Sequence, residues 1–273
     1  MRVAEPVAAS WKARLSLAFQ ATGERTVLSG KSHDGPLVVQ KPLYPEGDAV
    51  CHTIIVHPPG GIAGGDELDV EVTAERASHT LLTTPGAAKW YRSAGPWARQ
   101  RLSFTVNGCL EWLPQETIVY DAALADMQCD VELSADARYV GWEIVCLGRT
   151  GSGERFTRGK LRIHTRISRE GKLLWFERGS IEGGGKLMNS PAGLGGRSVC
   201  ATLVACGAGL NPSLLADCRK LPGVSVTLLP EILVARHLGD SSEEAKRRFT
   251  ALWRILRPAL CGREAVSPRI WQT

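Results

Sequence analysis

At 273 residues, 44% of them hydrophobic, the chain can bury a large core, and no segment approaches the roughly 18 consecutive apolar residues of a membrane span. A formal net charge of +5 with 6% aromatic residues gives mild basicity but no basic run interleaved with stacking rings, which argues against nucleic-acid binding. The amino terminus, MRVAEPVAASWKARLSLAF, has no unbroken apolar core of signal-peptide length, so a cytoplasmic protein is expected.

Residues 11–19 alternate, with Trp11, Ala13, Leu15, Leu17 and Phe19 on one face, and predict a half-buried strand. Residues 50–56 read as a more fully buried strand. Residues 57–93 follow, opening on a turn rich in Pro58, Pro59, Gly60, Gly61, Gly64 and Gly65 and ending in a second turn that carries Lys89, Tyr91 and Arg92. Leu68, Val70 and Val72, then Leu102, Phe104 and Val106, mark two more one-faced strands. In residues 109–119 Pro114 marks an edge or bulge, so Glu111 and Glu116 are expected to flank a bend in a surface or interface role, with Asp121 at the next turn. Residues 139–146 form a dense apolar run with Glu143 inside it, and a carboxyl group there needs a partner, water or a raised pKa.

Leu161, Ile163 and Ile167 alternate with Lys160, Arg162, His164 and Arg166, which reads either as a solvated sheet face or as a docking patch for an acidic partner. Residues 173–182 carry Glu177 and Glu182. The glycine-rich stretch 183–196 has few apolar residues and is expected to be mobile alone and to order on a partner. After a buried strand over 198–206, Asn211 and Pro212 announce a short helix. Strands over 224–229 and 232–237 lead to the one strong helix, capped by Ser241 and Glu244 and running to Pro258. The chain reads as one mainly β domain over 1–273 with two helices near the C-terminus and no sequence repeat obvious enough to announce a propeller or solenoid.

Nucleotide and hydrolase motifs fail individually. Ile62 stands where a dinucleotide glycine belongs, Ser198 in GRSVC lacks the closing glycine of a nucleophile elbow, and Leu187 follows Lys186 where a P-loop needs a hydroxyl. The eight cysteines show no C-x-x-C pair and read as small buried hydrophobes. Cys51, His52 and His57 are the nearest thing to a metal cluster, but strand alternation puts His52 opposite the other two.

Taken together, HPPGGIAGGD, TTPGAAKWYRS, LEWLPQETIVYDAA, LVARHLG and PRIWQT resemble the urease accessory protein D family (UreD, called UreH in some bacteria), in its order and spacing from about Trp11 onward. Gln272, where relatives often carry alanine, and Trp90, where another aromatic is common, are small departures. The resemblance implies a stacked-sheet, β-helix-like fold with two helices. It also implies a non-enzymatic chaperone that binds apo-urease and recruits UreF and the GTPase UreG for nickel insertion, and a dimer within the accessory complex is compatible with it. GTP would belong to UreG, and nickel would be cargo, not a tightly bound cofactor. Glu143 and Glu177 match acidic positions assigned to the family's nickel path. Lys89, Tyr91, Arg92, Glu111, Glu116 and Asp121 fall in family-like blocks, with folding or partner contact as their role. The rival reading from the residues is a hydrolase using the loop from His57 to Asp66 with Glu116, and a metal-storage protein is a third.

Overall fold

The two strand patterns of the sequence, alternating and continuously apolar, belong to two sheets with different surroundings. The computed structural model describes residues 10–272. A hairpin of β1 (Lys12–Thr22) and β2 (Arg25–Asp34) starts the first sheet, and β3 (Val38–Val39) and β4 (Cys51–Val56) start the second. The chain then alternates. β5 (Glu67–Ala74) lies in the first sheet, β6 (His79–Thr83) and β7 (Ala88–Trp90) in the second, β8 (Ala98–Val106) in the first, and β9 (Cys109–Trp112) and β10 (Thr117–Val119) in the second. β11 (Leu124–Leu133) returns to the first sheet and β12 (Arg138–Leu147) to the second, before the hairpin of β13 (Lys160–Arg169) and β14 (Lys172–Glu182) closes the first. β15 (Val199–Cys206), β16 (Ser225–Leu229) and β17 (Ile232–Gly239) extend the second. The helices are α1 (Lys186–Asn189), α2 (Pro212–Arg219) and α3 (Ser242–Cys261).

The alternation builds a parallel coil. β1, β5, β8, β11 and β13 pair in parallel, and so do β4, β6, β9 and β12. Cys51, Thr80, Leu110 and Tyr139 sit in register in four successive strands, so one turn of the coil takes about 30 residues. The sequence shows no such repeat because stacking requires only that matching positions share a polarity, and connections of different length are absorbed between strands.

Between the sheets lies an apolar core that includes Leu15, Phe19, Val70, Phe104, Leu110, Trp112, Tyr139 and Val145. The second sheet is also covered on its outer face, where Leu81, Val140, Trp142, Ile144 and Leu203 meet Phe249, Leu252, Trp253 and Leu256 of α3. Burial on both faces explains why β4 and β6 are buried along nearly their whole length and show no apolar–charged alternation, whereas β5 and β8, covered on one side, alternate.

Both expected helices form. The Asn211 side chain accepts the Leu214 N–H at 3.0 Å, and the Ser241 hydroxyl accepts the Glu244 N–H at 3.1 Å. Glu244 turns to Arg248 rather than back to the cap. Helix α3 continues through Pro258 to Cys261 and ends at Gly262, whose φ of 66° is the left-handed stop. Leu260 and Cys261 are buried beyond the proline, and their packing outweighs the one backbone bond that Pro258 cannot make. The stretch 183–196 contains the single turn α1, with Met188 and Leu194 packed against the core. Among the described residues no helix is long and apolar enough to cross a membrane.

Candidate functional site

Parallel register places side chains in rows, and two of these rows turn polar at the same place. Across the first sheet, Leu15, Val70 and Leu102 are followed in register by Cys129, Thr165 and Glu177. On the facing side of the second sheet, Glu143, Thr202 and Arg236 form a row over β12, β15 and β17. The rows line a cavity of about 420 Å³ whose wall includes Glu143, Glu177, Cys129, Cys200, Thr202 and the solvent-exposed Arg236. The two glutamates named from the sequence therefore share one chamber, brought from strands β12 and β14.

Their environments differ. Glu143 lies where the neighbour of β12 changes from β9 to β10, across the break that Pro114 makes. It accepts the Thr117 hydroxyl at 2.5 Å. It lines the cavity, and burial raises its pKa to about 7 against the opposing Thr117 hydrogen bond. Glu177 instead accepts from Arg236 at 2.7 Å, and Arg236 also donates to Thr202 at 2.9 Å. The ion pair runs to Arg236, not to the sequence neighbours of the glutamates. Burial pushes the Cys129 thiol up to about 12 and the Cys200 thiol up to about 11, so both stay protonated at neutral pH. Gly141, on the same face of β12, has no side chain because the Tyr139 hydroxyl fills the space a Cβ would need.

The other sequence-named residues fall elsewhere. The glycine loop packs on the end of β7. Ile62 N–H donates to Lys89 O at 2.7 Å, and Tyr91 N–H donates to Ile62 O at 2.9 Å. A Cβ on Gly61 would lie 2.2 Å from the Tyr91 ring, so the glycine makes room for an aromatic residue. Tyr91 meets Tyr120 edge-on at 5.1 Å, and Arg92 bridges to Ala123. Asp66 accepts the Trp11 and Ala63 N–H groups, each at 2.7 Å, which engages both oxygens in holding backbone. Asp121 accepts the N–H groups of Thr157 at 2.7 Å and Arg158 at 2.9 Å, as well as the Arg158 guanidinium. These bonds hold its pKa near 2 despite partial burial. Glu116 is partly exposed, and its carbonyl accepts the Ala88 N–H. On β13, Lys160 pairs with Glu182 at 2.8 Å and Arg162 stacks on Trp97 at 3.9 Å.

Glu111 corrects the surface reading of the carboxylates around Pro114. It is fully buried on the outer face of β9 beneath α3, where it accepts from Trp253 at 2.5 Å, from Arg257 at 3.0 Å and from His79 at 2.7 Å. Arg257, also fully buried, reaches Glu46 as well, and Glu46 holds His52 at 2.6 Å. The proline does bend the strand, but the carboxylate before it points under the helix. Sequence reasoning missed Arg257, Glu46 and His79 because their partners are distant in the chain. Glu111 inside an otherwise apolar β9 was the available signal.

The chain is thus a two-sheet β structure with a helical cover and an acid-bearing cavity between the sheets. Residues 12–272 match the family model described as UreD urease accessory protein. Proteins called urease accessory protein UreD from Dechloromonas aromatica (strain RCB), Azoarcus sp. (strain BH72) and Pseudomonas fluorescens (strain Pf0-1) are 52%, 51% and 50% identical to it. These matches cover 97%, 96% and 97% of this chain and 95%, 94% and 96% of the relatives. The chain belongs to the UreD urease accessory protein family.

Proposed function

We propose that this chain is a urease maturation factor, a non-enzymatic scaffold that binds apo-urease, recruits UreF and the GTPase UreG, and gives nickel a route through the chamber between Glu143 and Glu177. The observation that carries the reading is the family match over residues 12–272, and the chamber supports its nickel part. Carboxylate oxygens hold a borderline divalent ion weakly enough to release it, and a neutral Glu143 can take an ion by giving up a proton. Glu177 must leave Arg236 to do the same, which keeps the second ligand latent. In this proposal the partners supply GTP chemistry, and this chain supplies position.

The test is co-purification of the tagged chain with apo-urease, UreF and UreG, followed by nickel-dependent urease activation. Glu143→Ala with Glu177→Ala should lower nickel incorporation while the complex still assembles. Loss of assembly would make both glutamates structural, and full activation by the double variant would remove them from any route.

A further inference from the structure

His79, Cys109 and Cys261 arrive from β6, β9 and the last turn of α3, and their ligand atoms all lie within 4.8 Å of one another. All three are buried. His79 and Cys109 are opposite each other in the parallel register of β6 and β9, and the Cys261 sulfur lies 3.4 Å from the Cys109 sulfur. Carrying α3 past Pro258 is what brings Cys261 to this point.

The surroundings resemble the outer shell of a metal centre. His79 Nε2 is 2.7 Å from Glu111 Oε1 and donates to it, and a metal ion would take the place of the ring's other proton, at Nδ1. With Nε2 engaged by Glu111, Nδ1 is the nitrogen left for a metal. Glu111 is itself held by Trp253 and Arg257, so the ring is oriented by a group that cannot turn. A carboxylate behind an imidazole is the usual support of a metal-binding histidine. Metal–sulfur bonds of about 2.3 Å in a tetrahedral site place two sulfurs about 3.8 Å apart, so this pair needs to open by only a few tenths of an ångström.

The geometry points to a thiophilic metal site formed by His79, Cys109 and Cys261, with Glu111 as the oriented outer-shell base, that takes a d10 ion such as Zn2+ or Cu+. Two sulfurs and one imidazole select such ions over oxygen-seeking Mg2+ or Ca2+. Both thiols and the Nδ1 of the His79 ring give up their protons to solvent on binding, and the two thiolates with a divalent ion form a neutral group, which suits a dry position. The bound ion ties the C-terminal helix to the coil. This site lies on the outer face of the second sheet, whereas the Glu143 chamber lies between the sheets, so the inference stands apart from nickel transfer.

The full-length chain, reduced with a phosphine and stripped by a chelator, is titrated with Zn2+ and separately with Cu+ against a chromophoric competitor. One equivalent should survive desalting and raise the melting temperature. Cys109→Ser and Cys261→Ser should each lose that equivalent, whereas Cys218→Ser, at a buried cysteine of α2, should keep it. Should the serine variants fail to fold, Co2+ loading of the unmutated chain still decides, because two thiolate ligands give an intense sulfur-to-cobalt band in the near ultraviolet. Retention of neither ion, retention unchanged in both serine variants, or a cobalt spectrum without that band would overturn the site. So would a Cys109–Cys261 disulfide that, once reduced, leaves a chain taking up no metal.

Discussion

Glu143 links a single ionisation to the pH dependence of the whole fold. Its pKa is about 7 in the folded chain against an ordinary value of 4.5. Between those values the folded state holds more proton than the unfolded state, so its contribution to stability falls as pH rises from 4.5 toward 7 and stays low above that. Glu143→Gln keeps an acceptor for Thr117 without the charge, and should stabilise the chain by about 3 kcal/mol at pH 8 and by nearly nothing at pH 4. Urea unfolding at the two pH values checks this, and an equal effect at both would refute the buried-acid account. Asp121 behaves in the opposite sense. Its pKa is lowered to about 2, so its contribution is present above about 4 and is lost as pH falls through 2. Asp121→Asn should therefore unfold more easily than the parent chain at pH 6, with the gap in urea midpoint closing as the solution is acidified toward pH 2. Glu143 was legible because an acid inside an apolar run is conspicuous, whereas Glu177 was named only through the family resemblance. Arg236 was not legible, because Thr202 and Arg236 meet only through the pairing of β15 with β17.

At the scale of elements, α3 behaves as a clasp. Trp271, near the end of the chain, meets Trp142 at 5.6 Å and Trp253 at 5.9 Å, and its N–H donates to Thr83 at 2.8 Å. Lys246 lies 4.0 Å from the Trp271 ring and donates to Pro114 O at 3.1 Å. Trp271→Ala should lower stability by about 2 to 3 kcal/mol, below the usual cost for a fully buried tryptophan because the ring is only half-buried. A thermal melt and fluorescence quenching of the remaining tryptophans would register the loosened clasp, and an unchanged melt would show that the last residues only rest on the surface. Removing the charge below the clasp costs more. Arg257→Met leaves Glu111 and Glu46 without their shared cation and should destabilise by about 3 to 5 kcal/mol, read as a lower urea midpoint. Both helices were legible from Asn211, Ser241 and the spacing of Phe249, Leu252 and Leu256. The terminal turn was not, since a proline ordinarily stops a helix and only the burial of Leu260 and Cys261 carries it on.

Over the whole molecule, the mainly β character was legible because one-faced strands must alternate and doubly covered strands must not. The coil was less legible. Its register relates residues such as Leu15, Val70 and Leu102, which share apolarity and no local motif, so the periodicity exists in space more plainly than in sequence. The three-ligand cluster of His79, Cys109 and Cys261 was invisible for the same reason, because metal spacing was sought along the chain and the ligands meet across layers.

The buried union of Glu111 with Arg257 also has a temporal side. The two residues are 146 positions apart, with the carboxylate synthesised first. At roughly 5 to 20 residues per second, the interval between them is on the order of ten seconds during synthesis. Through that interval the growing chain can stack its early strands and set His79 beside Glu111, but Trp253 and Arg257, which cover the carboxylate from α3, have yet to emerge. The cover over Glu111 therefore closes only once α3 has been made, and a chain cut short before Trp253 and Arg257 leaves that carboxylate with His79 alone of these three partners.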